Sequence, residues 1–170
     1  MTPADAIAVL QRLGAVPWLV RHHELVLEAA VSVCDRFARE LAFDRDAVLL
    51  GAALHDAGKI IHPAEMSAPG HEHEAAGREL LLRHGVSPSI ARFCVTHAAW
   101  NTDDATVEDL LVALADKLWK GKRDEALEQR IVEVIAAATK RQPWAVFDRV
   151  DAICEAVAAH GPDRLVRSAV

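Results

Sequence analysis

The stretch AVLLGAALHDAGK, residues 47–59, decides how the rest of the chain is read. Its first eight residues form an apolar run, and Asp44 just upstream can cap a helix over roughly Arg45 to His55. Gly58 and Pro63 announce that helix's end. His55 and Asp56 therefore stand side by side where the backbone leaves helical geometry, so an imidazole and a carboxylate can turn into one cavity. Taken alone, a His-Asp pair is a surface polar step; its context argues otherwise.

Outward from this stretch the pattern is helical throughout. Alanine and leucine are abundant, tyrosine is absent, and no run alternates with period two between turn residues, so the fold class is all-α. Thr2-Pro3 starts a short helix that stops at Gly14, and Pro17 opens a longer one to about Leu41 with Val26, Ala29, Ala30, Val33 and Phe37 on one face. Residues 57–70, with two prolines and two glycines, form a long connection of the kind that is often functional. Helices follow over about His71–His84 and from Pro88 to about Ala99. Thr106 and Asp109 approximate a capping box for a helix through Leu118, and Gly121 interrupts it. Segments 123–140 and 143–160 complete the pattern, and the tail after Gly161 is expected to fray. There is no repeat, low-complexity segment or linker. The expected organisation is a single helical domain over 1–170, with a core at about 18–125, C-terminal helices at 126–160 packing on it, and a tail at 161–170.

Composition narrows the function. At 170 residues the chain can bury one proper core. No apolar run approaches the roughly 20 residues of a membrane span, and the N-terminus lacks the pattern of a secretory signal, so a cytoplasmic protein is expected. Cys34, Cys94 and Cys154 are far apart and read as buried small side chains. A net charge of −6 disfavours long nucleic acid, although a small anionic substrate can be met by local positive charge.

Nine histidines are many for this length, and several fall where helices turn inward. His22 and His23 precede the apolar stripe of their helix. Being adjacent, only one of them can be the first ligand, and His22 is preferred because its own side carries Val26, Ala29, Ala30, Val33 and Phe37. The face of His23, with Leu27, Ala30, Cys34 and Ala38, is nearly as apolar. His73 and Gly77 are i and i+4 on one helix, so the histidine can project past a residue too small to obstruct it. His97 closes another helix, and Asp116 lies inside LLVALADKL, where a carboxylate is expensive unless paired or bound to a cation. His22, His55, Asp56, His73, His97 and Asp116 make a mixed nitrogen and oxygen set suited to a transition metal.

This ordered set resembles the HD-domain superfamily of metal-dependent phosphohydrolases. A histidine, a His-Asp doublet and a distant aspartate look like His22, His55-Asp56 and Asp116, and HDAGK matches the common form of the doublet. The resemblance covers roughly residues 18–125. The two intervening histidines, in HEAAG and FCVTHAAW, are similar to the subset that binds two metals, and the narrower likeness is to the bacterial symmetrical diadenosine tetraphosphate hydrolase branch.

The resemblance implies a compact helical bundle that holds two divalent ions, iron or manganese, with cobalt, nickel or zinc as alternatives. Asp56 would bridge them, His22, His55 and Asp116 serving one and His73 and His97 the other. A hydroxide held between the ions would attack phosphorus in a phosphoester or phosphoanhydride of a small, nucleotide-like substrate. Lys59, with Asp56, is expected to be catalytic and to contact substrate, and Lys117 and Arg123, beside Lys120 and Lys122, are further candidates for phosphate contacts. The competing readings are a dinuclear-iron oxygenase of the same fold and a non-catalytic nucleotide sensor. His62, His71, His84 and His160 read as surface histidines, the tryptophans as core with Trp100 worth watching, and Glu72 and Glu74 as solvated unless they assist His73.

Overall fold

A computed structural model describes residues 1–169, and among these the chain is all-α with no strand. Local chemistry sets the helix ends. Thr2 and Asp5 exchange side-chain and backbone hydrogen bonds of 3.2 and 2.8 Å in a capping box that opens α1 (Pro3–Arg12). The long α2 (Pro17–Phe37) starts on its proline. Asp44 accepts the Ala47 N–H at 3.0 Å to cap α3 (Arg45–Leu54). The connection that follows holds two 3₁₀ turns, Ala57–Ile60 and Pro63–Met66, before α4 (Glu72–Arg83). Gly85 ends α4 at φ 79°, a conformation that favours glycine.

The expected helix from Pro88 to Ala99 is two short pieces, α5 (Pro88–Ala91) and α6 (Phe93–Thr96). Arg92 between them keeps right-handed helical dihedrals, so the break is a bend. The Thr106–Asp109 capping box opens α7 (Val107–Leu118), and α8 (Glu125–Thr139) and α9 (Trp144–Ala158) follow. The C-terminal segment departs from expectation. In place of a frayed tail, residues Gly161–Ser168 form α10, held on α2 by the buried Arg164, whose Nε donates to Glu28 at 3.0 Å and Nη1 to the Val157 carbonyl at 3.1 Å.

The core lies where α3 and α7 pack on α2. Val26, Ala29, Val33 and Phe37 of α2 meet Val48, Ala52 and Leu54 of α3 and Leu111, Leu114 and Leu118 of α7, all fully buried. Each large side chain so buried contributes about 1.5–3 kcal/mol. Small residues bring the backbones close: a Cβ on Gly51 would lie 2.8 Å from the Phe93 ring and from Val112. All three cysteines are free and buried, as packing residues.

Two contacts place later elements against this core. The first 3₁₀ turn and α4 approach backbone to backbone, where a Cβ on Gly58 would sit 1.8 Å from the His73 carbonyl oxygen and one on Gly77 would sit 2.7 Å from the Gly58 nitrogen. Gly77 thus serves the Gly58 contact as well as the path of the His73 side chain. Second, the buried Asp109 of α7 accepts hydrogen bonds from Arg92 Nη1 at 2.5 and 2.6 Å and from Thr96 Oγ1 at 2.5 Å, tying the α5–α6 segment to α7. Burial pushes the Asp109 carboxyl up, but Arg92, Thr96 and Thr106 outweigh it and hold the group below its ordinary 3.8.

Replacing Gly58 with alanine should cost about 3 kcal/mol or more, since backbone rather than a flexible side-chain tip must move; urea denaturation measures this. Asp109→Ala should cost about 3–5 kcal/mol at pH 7 by leaving Arg92 unpaired. Because the folded pKa lies below the unfolded one, Asp109's contribution is complete above about pH 4 and is lost as pH falls through the folded value. The stability gap between wild type and Asp109→Ala should therefore narrow in acid, and a gap that widens there would contradict this assignment.

Candidate metal centre

At the end of α3 the chain turns as its sequence suggests. His55 is the last residue with helical dihedrals, its N–H bonded to the Gly51 carbonyl at 2.8 Å, and Asp56 at φ −103°, ψ 17° enters the sparsely populated bridge region where the 3₁₀ turn begins. Both side chains are buried. Three other elements bring groups to them: His22 from the first turns of α2, His73 from the start of α4, and Asp116 from the last turn of α7. His97, at the end of α6, completes the set.

The Asp56 carboxylate is the centre of this arrangement, and its two oxygens face different neighbours. Oδ2 lies 3.2 Å from His22 Nε2 and 3.5 Å from His55 Nε2, while Asp116 Oδ1 lies 3.9 and 3.4 Å from the same two nitrogens. Oδ1 lies 3.1 Å from His73 Nε2 and 3.8 Å from His97 Nε2. Two groups with metal-ligating spacing result, His22–His55–Asp56 and Asp56–His73–His97, sharing Asp56.

The backs of three rings explain why their Nε2 atoms point inward. His55 Nδ1–H donates to the Ala52 carbonyl at 3.0 Å, His97 Nδ1–H donates to the Phe93 carbonyl at 2.8 Å, and His73 Nδ1–H donates to the Glu65 carboxylate. These partners only accept, so in the neutral ring the lone pair sits on Nε2. His22 has no such anchor. Its ring is held between Trp18, stacked at 5.8 Å and 6°, and the edge of Trp119 at 5.1 Å. His23 turns the other way, with Nδ1 3.4 Å from the Ala52 carbonyl, so of the adjacent pair His22 is the one that faces Asp56.

Burial and charge compete strongly here. Burial drives His97 down to about 4, with the nearby His55 adding to the effect. Burial also opposes charge on His55, but Asp56 and Asp116 overcome it and raise its pKa; His73 is raised by Asp56 and Glu65 against its own burial. Both aspartates are held well below the usual carboxylate range despite burial, Asp56 by His55, His22 and His73, and Asp116 by His55 and His22.

A transition-metal ion fits these residues by a direct test. His22 Nε2, His55 Nε2 and Asp56 Oδ1 are buried and face the same interior space without a hydrogen bond of acceptable geometry. Each buried polar atom left in that state costs about 1–3 kcal/mol, which a cation accepting their lone pairs would remove. Imidazole and carboxylate donors together suit iron, manganese, cobalt or zinc.

A cavity of about 410 Å³ opens over the site, and Trp18, Lys59, Met66, Glu74, Trp119 and Lys120 line its rim and walls. Lys59 Nζ reaches Asp56 Oδ2 at 2.6 Å. The other basic candidates are placed differently. Arg123 is ion-paired to Glu128 and Asp151 and lines a separate cavity of about 730 Å³ between α8 and α9, so the structure does not bring it to the cavity over Asp56. Lys117 lies outside the lining of the metal cavity, and Lys120 takes its place. Trp100 packs against the core, Trp119 is buried in the core as expected and also borders the site, and Trp18, expected as core, is exposed at the rim of the site. Glu65 escaped sequence reading altogether, because no local spacing connects it to His73 across the loop.

Residues 19–120 match the family model described as HD domain. No curated protein and no solved structure gives a significant match. The matched segment begins in α2, ends just after α7 and contains all six converging side chains, in a family made up generally of metal-dependent phosphohydrolases. The chain belongs to the HD-domain family.

Proposed function

We propose that this protein is a phosphohydrolase that uses two divalent ions, which Asp56 and the imidazoles on either side of it would hold, to cleave a phosphoester or phosphoanhydride of a small phosphorylated substrate. The observation that carries the reading is that the two oxygens of one buried carboxylate face two separate imidazole groups, with Asp116 beside the first. In this reading His22, His55 and Asp116 serve one ion, and His73 and His97 the other. When bound, the ions lower the pKa of water towards neutrality and steady charge on the attacking and leaving oxygens.

The chain's own residues supply the rest. Lys59 and the exposed Lys120 put positive charge on the cavity in a protein of net charge −6, which supports an anionic substrate held locally. Glu74 lines the same cavity, and burial raises its carboxyl above the ordinary 4.5, so it is a group that could hold a proton for a leaving oxygen. The same ligands can serve dioxygen chemistry; the two lysines at the cavity favour an anionic substrate over a neutral one such as a polyol. Among the described residues no helix is long and apolar enough to cross a membrane.

The test is hydrolysis of a panel of mononucleotides, dinucleoside polyphosphates and sugar phosphates by protein loaded with manganese or iron. Wild type should release phosphate or nucleotide from at least one class, and Asp56→Ala should fall to background. Lys59→Ala should lower kcat/KM about tenfold to a hundredfold, the loss expected of a charged hydrogen bond worth about 1.5–3 kcal/mol. Oxygen uptake with an organophosphonate or polyol, without hydrolysis of any phosphoester, would overturn the reading.

A further inference from the structure

Glu65 sits in the second 3₁₀ turn, eight residues before His73, yet its carboxylate is turned inward with a side chain only 10% exposed. One oxygen accepts the Glu72 N–H at 3.2 Å, and the other accepts the His73 N–H at 3.4 Å as well as the His73 ring Nδ1–H. The loop is shaped around this group: a Cβ on Gly70 would lie 2.4 Å from the Glu65 carboxyl carbon, and 2.7 Å from its Oε1. Next to Glu65 in the chain, Met66 lines the cavity over Asp56.

His73 differs in this from its counterparts. The rings of His55 and His97 are anchored by carbonyls of their own helical segments, three and four residues away. Forming the helix is enough to aim them. The His73 ring is aimed by a carboxylate from a separate loop, so its direction depends on residues 57–70 being folded down.

We infer that Glu65 is a positioning residue that makes the Asp56–His73–His97 half of the centre conditional on the loop, while the His22–His55–Asp116 half assembles without it. Glu65 holds Nδ1–H and so directs the Nε2 lone pair toward Asp56 Oδ1, which lies 3.1 Å away. Outer carboxylates on metal-binding histidines change affinity by about 10–100-fold. The inference rests on the two-ion reading above.

The test is titration of metal-free protein with Mn²⁺, following free ion by electron paramagnetic resonance and the fold by thermal melting. Wild type should bind two equivalents. Glu65→Leu should weaken the second by about 10–100-fold and leave the first within about twofold. Glu65→Gln, which keeps an acceptor for Nδ1–H, should recover most of the loss. Gly70→Ala, which keeps the carboxylate but displaces it, should weaken the second equivalent with a folded melt, and it decides the matter if Glu65→Leu does not fold. Two equivalents bound as in wild type by Gly70→Ala and Glu65→Leu, or equal weakening of both equivalents in folded protein, would overturn the role of Glu65 while leaving the two-ion reading intact. A single equivalent in wild type would instead overturn the two-ion reading and this inference with it.

Discussion

Everything in this fold answers to one buried carboxylate. Asp56 is 3% exposed just past α3, whose residues 47–54 are apolar, and an isolated charge there would be prohibitively costly. The structure meets it with four imidazoles and an ammonium group, delivered from five separate elements. Those elements must then be held in register, and the least expected features of the molecule do that work. Gly58 and Gly77 let two backbones touch so that His73 arrives at Oδ1, and Asp109 grips Arg92 and Thr96 so that the segment carrying His97 stays on α7.

Packing anchors the two sides of the centre differently. His22, His55 and Asp116 project from α2, α3 and α7, the three helices that share the core, and their backbones cannot shift without opening it. His73 instead starts a helix that leans on a 3₁₀ turn, and the loop before it also carries Lys59 and Met66 into the cavity. Lys59, Met66 and the orientation of His73 therefore belong to one loop, while Trp18, Trp119 and Lys120 line the cavity from α2 and the end of α7.

Much of this was legible in the chain because the signals are local. The helix start at Thr2-Pro3, the capping box at Thr106, the Asp44 cap and the apolar periods of α2 and α7 depend on neighbours a few residues apart, and the structure has each of them. The HDAGK turn and the out-of-place Asp116 were readable because a charge in an apolar helix needs a reason. What was not legible depends on distant partners. The placing of Arg123 away from the site follows from Asp151, 28 positions on, and α10 looked like a tail because Arg164 is anchored by Glu28, 136 positions upstream. Glu65 belongs to the same class, as does the choice between His22 and His23, which two nearly equal apolar faces left to the phase of α2.

The most direct test of the account is metal content, measured by mass spectrometry on protein purified with neither added metal nor chelator, beside Asp56→Ala treated identically. A carboxylate that bridges two imidazole groups predicts about two equivalents of a transition metal per chain in wild type and their loss in the variant. Protein that holds no transition metal, even after reconstitution, would contradict it and reduce the His-Asp cluster to a buried ion-pair network.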